Sequence, residues 1–230
     1  MRDIVKSFIP PILLSAVRKL KSQNHPAQKT LTDESLGDGS FWGSQSDLLD
    51  EWGKDHVWNE IEMFLYDKKG KVLDIACGTG AAMNQLKTNV NLEMYGIDNS
   101  ADLLNKCEDK GFPRSHLILQ NVLEPLPYTD SFFEYSYSIG LLHYIKEEAI
   151  DDFVNEIDRI TRTASFHQLP VSLSGKDENV VHAWHDYNNN SGEWWLNKFR
   201  NKFPGSRIIQ SGWKDNHFGF SKGIWLVCKR

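Results

Sequence analysis

The chain has 230 residues, of which 40% are hydrophobic and 25% charged, with a formal net charge of −5 and a sequence pI of about 5.9. This length and composition exclude a wholly disordered or fibrous chain and predict one globular domain with an extension. The acidic balance argues against nucleic-acid backbones as partners. No apolar run in the sequence approaches the roughly 20 residues that span a bilayer.

The three cysteines, Cys77, Cys107 and Cys228, are too few and too scattered for a disulfide framework or a four-ligand zinc site. A reducing compartment fits this usage best, so we predict a cytoplasmic protein. His182 and His185 lie close enough in sequence to share a metal ion, but no clear third ligand accompanies them. We therefore predict that the protein has no metal site.

Residues 1–21 combine basic residues with a short apolar stretch that Pro10 and Pro11 interrupt. Basic residues follow at once without a convincing cleavage site, unlike in a secretory signal peptide. Pro11 suits a first helical turn, so we predict a short amphipathic helix followed by a polar linker, together residues 1–45. Such a helix can pack on its own domain, on a dimer partner or on an anionic membrane surface.

The remaining residues, 46–230, are expected to form the main domain. Apolar residues recur at spacings of three and four between 46 and 66, which predicts an amphipathic helix. Further helices are predicted at residues 81–88, from 100 onward, at 146–161 and at 191–203, and strands at 71–76, 92–97, 116–120, 133–138, 164–171, 206–211 and 222–229. This alternation predicts an α/β fold, a Rossmann-like doubly wound sheet that is mostly parallel, with helices on both faces. About ten residues join the last two strands, too few for a crossover, so the C-terminal strand is expected to be antiparallel.

The first predicted strand ends in a glycine-rich turn, and the second ends in a carboxylate. The turn runs from Asp74 through Gly78 to Gly80, and the second strand ends at Asp98. Glycine lets the backbone turn sharply beside a ligand, and a carboxylate at the second strand's tip can accept both hydroxyls of a ribose. These features predict a nucleoside-containing ligand. In a nicotinamide dinucleotide fingerprint, the third glycine would stand where this chain has Met83. A Walker phosphate-binding loop would contain Gly-Lys-Ser/Thr, which does not follow here. The sequence therefore argues against both of these sites.

Four motifs in this order resemble those of class I S-adenosylmethionine-dependent methyltransferases. They occupy residues 72–80, 96–100, 120–134 and 138–145, and the resemblance covers about residues 70–165. Three residues depart from the family's pattern. Ala76 stands where members often have glycine, and Asn121 and Glu134 stand where members often have aspartate. The resemblance implies S-adenosylmethionine as the cofactor and methyl transfer as the reaction.

The predicted cofactor-binding residues are those of the motifs together with one aromatic residue before the first strand. Trp42 either closes over the cofactor or is a core residue, and both alternatives stay open. The full predicted set is Trp42, Asp74, Ala76, Gly78, Gly80, Asp98, Asn99, Asn121, Val122 and Ser138.

A hydroxyl acceptor needs a general base, because a protonated alcohol is a poor nucleophile. The candidate bases are His143, after the fourth strand, and His182 and His185, in a long polar connection. We predict that this connection, around residues 172–190, forms a substrate lid. The alternatives are that His143 shapes the cofactor pocket and that the connection is a surface loop.

The acceptor is predicted to be a small molecule, because the chain has neither an added recognition domain nor a basic stripe. Residues 1–21 resemble segments of bacterial enzymes that assemble cell-surface polysaccharides. We therefore predict O-methylation of a sugar or sugar-phosphate-type intermediate of that synthesis. The alternatives are N-methylation of a small amine and a non-catalytic partner subunit with this fold, against which intact Gly78, Gly80 and Asp98 argue.

Overall fold

A seven-stranded sheet with helices on both faces organises the computed structural model. The structure describes residues 39–54, 56–176, 178–181, 186–214 and 221–230. The helix predicted within residues 1–21 lies outside these ranges, as do His182 and His185.

The strands of the sheet begin and end close to their predicted bounds. They are β1 (Gly70–Ile75), β2 (Leu92–Asp98), β3 (Leu117–Leu119), β4 (Phe133–Ile139), β5 (Thr161–Ser172), β8 (Arg207–Lys214) and β9 (Ser221–Lys229), while β6 (Glu178–Val181) and β7 (Asp186–Asn189) form a separate pair. The α-helices are α1 (Ser40–Ser44), α2 (Ser46–Trp52), α3 (Val57–Leu65), α4 (Ala81–Leu86), α5 (Ala101–Asp109), α6 (Glu147–Ile160) and α7 (Gly192–Arg200), with short 3₁₀ turns at Arg114–His116 and Leu142–Tyr144.

The sheet order is β3-β2-β1-β4-β5-β9-β8. Strands β1 to β5 run parallel to one another, and β9 runs antiparallel to both β5 and β8. This arrangement confirms the predicted fold class, including the antiparallel C-terminal strand. The strand order reverses at β1, whose carboxyl end therefore faces the crevice in which α/β proteins bind ligands.

Apolar side chains fill the space on each face of the sheet. On one face α6 buries Ile150, Phe153 and Ile157, and on the other face α3 buries Ile61 and Leu65. Burial on both faces explains why the inner strands read as continuous apolar runs rather than alternating ones. Within the described ranges, no helix combines the length and apolar character needed to cross a membrane.

The single helix predicted over residues 46–66 is wrong. The structure divides this region into α2 and α3, with Gly53 between them, and places an additional helix, α1, before them. A Cβ on Gly53 would lie 2.8 Å from Cδ1 of Trp58, so only glycine lets the backbone pass this indole. The prediction failed because the helical spacing of apolar residues continues through Gly53, whereas the break there is caused by tertiary packing against Trp58.

The segment predicted as a lid contains the two-stranded β6–β7 pair. Strand β5 extends to Ser172, whose backbone N–H donates to the Asn190 carbonyl at 3.3 Å. The amide of Asn188 donates to the Ile145 carbonyl at 3.1 Å, next to the carboxyl end of β4. The segment thus returns to the edge at which the predicted site lies, and its role as a lid stays a prediction.

Candidate active site

A cleft of about 490 Å³ opens at the carboxyl ends of β1, β2 and β4. Its lining includes the following predicted cofactor-binding residues: Trp42, Ala76, Gly78, Asp98, Asn99, Asn121 and Val122. The fold therefore brings together residues that lie up to 80 positions apart in the sequence. Asp74, Gly80 and Ser138, which we also predicted, do not belong to the described lining of this cleft.

The turn after β1 has an unusual backbone conformation. Ala76, Gly78 and Gly80 all adopt positive φ angles, of 60°, 55° and 73° respectively. Glycine reaches this region readily, whereas alanine does so at a cost because of its Cβ. The substitution of alanine for the glycine that is common in the family motif therefore leaves the turn in place but adds local strain.

Gly80 serves packing rather than the lining of the cleft. It precedes α4, and a Cβ at this position would lie 2.9 Å from Sγ of Cys107 on α5. The thiol of Cys107 in turn donates to the Gly78 carbonyl at 3.3 Å. Gly80 thus lets α5 approach the turn closely, and a direct contact of Gly80 with a cofactor stays a prediction.

Asp98 ends β2 and organises the turn. Its Oδ2 accepts a hydrogen bond from the Gly78 N–H, and its Oδ1 accepts one from the Ser100 N–H, each at 2.9 Å. Burial raises the pKa of Asp98 to about 6, although these backbone N–H groups oppose the rise. Near pH 7.5 the side chain is therefore a largely ionised carboxylate on the wall of the cleft, as a group that binds hydroxyls should be.

Asp74 lies beneath the turn and is more deeply buried. Tyr137 donates its hydroxyl to Oδ2 of Asp74 at 2.8 Å, and burial raises the pKa of Asp74 to about 8. Asp74 lines a second cavity of about 70 Å³, which shares Ala76, Gly78 and Ile139 with the main cleft. A carboxyl group in this place can ionise readily once a cationic group lies beside it.

We expect Asp74→Asn to remove a pH dependence of stability. Because the pKa of Asp74 is raised from 3.8 to about 8, the native state keeps a proton that the unfolded state has lost. The stability contributed at low pH is therefore lost progressively as the pH rises from about 4 to about 8, and the loss is complete above the native pKa. Between pH 5 and pH 9 the wild type should lose about 4 kcal/mol relative to Asp74→Asn, in which the amide oxygen can still accept from Tyr137.

Denaturant unfolding at intervals between pH 5 and pH 9 measures this difference. Asp109→Asn is the matched control, because Asp109 lies exposed at the end of α5 and its variant should follow the wild-type profile. Parallel profiles for wild type and Asp74→Asn would contradict the raised pKa.

Helices α1 and α2 form one side of the cleft. The ring of Trp42 on α1 meets the ring of Tyr144 edge-on, with centroids 5.2 Å apart. Asp50 on α2 accepts hydrogen bonds from the Thr79 hydroxyl and, at 3.1 Å, from Nζ of Lys110. These contacts hold the segment before β1 over the glycine turn, and the structure thus places Trp42 at the cleft.

The segment after β4 forms the opposite wall. It contributes residues that the motif comparison covered but did not single out, namely Ile139, Gly140, Leu141, Tyr144 and Ile145, and it continues with Lys146, Glu148 and Ala149. Leu49, Leu103 and Leu123 complete the lining. Helical spacing marked Leu49 and Leu103 as apolar positions, but nothing in the sequence indicated that they reach a ligand cleft.

Of the three predicted bases, the structure describes only His143, which is not on the lining of the cleft. His143 is buried, with its ring centroid 4.1 Å from that of Tyr144, and it lies behind the wall rather than on it. Ser138 and His167 bond to each other through Oγ and Nδ1 at 2.9 Å. Burial lowers the pKa of His167 to about 3, so that His167 is a neutral core residue. The roles of His143, His182 and His185 stay predictions.

The described residues contain no group of three or more His, Cys, Asp or Glu side chains arranged to hold a metal ion. The three cysteines are buried free thiols. The hydrogen bond with the neighbouring Cys107 and burial both raise the pKa of the Cys77 thiol, so a thiolate nucleophile in the turn is not expected.

Comparisons with known proteins find methyltransferases among the proteins that this chain resembles. Residues 72–164 match the family model described as "Methyltransferase domain". The tRNA (carboxymethyluridine(34)-5-O)-methyltransferase of Arabidopsis thaliana is 24% identical over 165 residues, which are 70% of this chain and 38% of that protein. The tRNA U34 carboxymethyltransferase of Shewanella frigidimarina is 29% identical over 150 residues, 63% of this chain and 44% of that protein. The chain thus spans less than half the length of these curated relatives.

The fold also matches solved structures. The 1,6-didemethyltoxoflavin-N1-methyltransferase of Burkholderia thailandensis, solved with S-adenosylhomocysteine, superposes with a TM-score of 0.65 at 15% identity, over 89% of this chain and 93% of that one. Together with the motifs, the sheet order and the cleft at the strand reversal, these matches confirm the predicted resemblance. The family model covers residues 72–164 of the 230-residue chain, and over this region the chain resembles the S-adenosylmethionine-dependent methyltransferases, as its motifs predicted.

Proposed function

We propose that the chain transfers a methyl group from S-adenosylmethionine to an oxygen of a small hydroxylated acceptor, a sugar or sugar phosphate. The observation that carries this proposal is the cleft of about 490 Å³, which combines a buried carboxylate with two aromatic rings. This volume lies within the roughly 300 to 1,000 Å³ of sites that enclose small molecules.

The cofactor half of the proposal rests on the residues around the glycine turn. Asp98 would hold the ribose, with Gly78 leaving room for the backbone to approach and Asn121 flanking the base. When bound, the cofactor supplies a methyl group activated by a sulfonium cation. The aromatic rings of Trp42 and Tyr144 line the same cleft, and such rings stabilise a cation without competing as nucleophiles.

The acceptor half of the proposal rests on the wall after β4. Lys146 lines this end of the cleft and would suit the phosphate of a sugar phosphate. Holding the acceptor in line with the methyl group is the main contribution expected from the protein. A hydroxyl acceptor also needs a base, and His143, His182 and His185 remain the candidates that we propose for it.

A second candidate function comes from the names of the curated relatives. Both are named for modification of tRNA, one of them for O-methylation of a carboxymethyluridine. These names support modification of tRNA as the alternative function. We rank it second because the net charge of −5 disfavours binding to RNA backbones. N-methylation of a small amine is a third outcome to be tested, and a non-catalytic partner subunit is a fourth.

A methyl-transfer assay with radiolabelled S-adenosylmethionine separates these outcomes. The acceptor panel holds sugar phosphates, nucleotide sugars, carboxymethyluridine, unmodified and carboxymethylated tRNA, and small amines. We expect label on sugar phosphates or nucleotide sugars, and reduced transfer by at least tenfold in one of His143→Ala, His182→Ala and His185→Ala. Label confined to tRNA or to amines would overturn the proposed acceptor. If calorimetry detects binding of neither S-adenosylmethionine nor S-adenosylhomocysteine, the result would favour the non-catalytic alternative.

A further inference from the structure

Glu148 places a carboxylate on the wall of the cleft. It lies in the first turn of α6, is exposed, and lines the cleft together with the next residue, Ala149. Within the part of the chain that the structure describes, no hydrogen bond or ion pair engages its side chain. Asp98 is the other carboxylate of the described lining, and both of its oxygens already accept from backbone N–H groups. Glu148 is therefore free to bind a ligand in the cleft.

The segment after β3 lies next to Asp98, where we propose the ribose. The Gln120 N–H donates to the Asp98 carbonyl at 3.0 Å, and the residues that follow, 121–123, line the cleft. In the sheet order β3-β2-β1, the end of β2 lies between this segment and the glycine turn after β1. A cofactor whose methionine part lies at the turn and whose ribose lies at Asp98 therefore extends its adenine toward residues 121–123.

Helix α6 packs against this same segment. The Leu126 N–H donates to Oε1 of Glu156 on α6 at 2.7 Å. Val122, from the segment, and Ala149, from the first turn of α6, pack on the same apolar cluster and line the same cleft. The first turn of α6 therefore places Glu148 at the end of the cleft toward which the adenine extends.

The amide of Asn121 offers a donor to this end of the cleft. Its Oδ1 already accepts a hydrogen bond from the Leu123 N–H at 3.0 Å, so Nδ2 is the group that it offers to a ligand. An N–H₂ group can donate to a ring nitrogen of adenine. The exocyclic amino group of adenine is itself a donor, however, and needs an acceptor. An ionised carboxylate such as that of Glu148 accepts only, and meets this need.

We propose that Glu148 is a specificity-determining residue that accepts a hydrogen bond from the exocyclic amino group of the cofactor's adenine. Hydrogen bonds to a charged acceptor are stronger than those between neutral groups. A base that has a carbonyl oxygen in place of the amino group would face the carboxylate with a second acceptor, and the site would reject it. The inference rests on the proposed function and deepens its cofactor half. The proposed acceptor phosphate does not suit Glu148, because two anions repel each other.

Calorimetry with two nucleosides tests the inference without any acceptor. S-inosylhomocysteine is S-adenosylhomocysteine with a carbonyl oxygen in place of the amino group. We expect the wild type to bind S-adenosylhomocysteine at least tenfold more tightly than S-inosylhomocysteine. In Glu148→Gln this ratio should fall to about threefold or less, because a glutamine amide can accept from an amino group or donate to a carbonyl. The matched control is Glu147→Gln, because Glu147 is adjacent and exposed but is not part of the described lining.

The ratio of the two affinities separates recognition of the adenine from a structural role of Glu148. A structural loss would weaken both nucleosides alike and leave their ratio at the wild-type value. An unchanged ratio in Glu148→Gln would overturn the inference, as would an equal fall in Glu147→Gln or a wild type that binds both nucleosides equally. If the wild type binds neither nucleoside, the proposed cofactor fails and this inference fails with it. Transfer of label to tRNA alone would overturn the proposed acceptor, while the ratio would still decide the role of Glu148.

Discussion

Asp98→Ala is expected to weaken binding of S-adenosylhomocysteine by well over tenfold. The carboxylate accepts from the Gly78 and Ser100 N–H groups at 2.9 Å and lines the cleft, so the variant loses the ribose contact and frees the turn. Removing a charged, buried hydrogen-bond acceptor costs about 1.5 to 3 kcal/mol for each strong bond lost, which corresponds to about tenfold to hundredfold in affinity.

Isothermal titration calorimetry at pH 7.5 measures this loss. Asp109→Ala is the control, since it removes an exposed carboxylate from the end of α5, the helix that follows Asp98 in the chain. Because the pKa of Asp98 is about 6 in the free protein, the affinity of the wild type should also fall as the pH is lowered through that value. A dissociation constant of Asp98→Ala within twofold of wild type would contradict the placement of the ribose.

Gly39→Ala is expected to reduce cofactor affinity by about fivefold to tenfold, through the loss of an aromatic contact. Gly39 has a φ of 71° immediately before α1, and a Cβ there would lie 2.7 Å from Cα of Ser100 and closer still to the Asn99 carbonyl oxygen. These are backbone atoms that cannot turn aside. The start of α1 must therefore move, which draws Trp42 away from Tyr144.

Gly175→Ala is a matched control for Gly39→Ala. Its φ of 72° gives the same backbone strain, but a Cβ would meet nothing within 4 Å. We expect Gly175→Ala to bind S-adenosylhomocysteine as the wild type does in calorimetry, with at most a small loss of stability. Equal affinities for the two variants would mean that the fit of α1 against Asn99 and Ser100, which follow β2, does not control the cleft.

Much of the fold could be predicted because its elements carry local signals. Strand β1 is a short apolar run that ends in a glycine-rich turn, and α6 repeats Ile150, Phe153 and Ile157 at helical spacing. The interruption at Gly53 could not be predicted in this way, because it depends on the indole of Trp58 packing back against the backbone. The β6 strand and its partner lack the apolar alternation that marks a strand.

The same distinction applies to the residues of the site: some carry local sequence signals, and others depend on tertiary packing. Gly78 and Asp98 belong to motifs whose spacing alone places them at neighbouring strand ends, and both line the cleft. Ser138 belongs to a motif as well, but alternation along β4 directs its hydroxyl to His167. The wall after β4, by contrast, is apparent only once the strands are paired, because its residues carry no signal of a ligand site in the sequence. Local patterns therefore predict the residues around the glycine turn, whereas tertiary packing determines the opposite wall.

A crystal structure of the full chain with S-adenosylhomocysteine tests the central claim most directly. We predict that the adenosine lies in the cleft at the carboxyl ends of β1 and β2, with both ribose hydroxyls within hydrogen-bonding distance of the Asp98 carboxylate. A nucleoside bound elsewhere on the domain, or one whose ribose makes no contact with Asp98, would contradict the account.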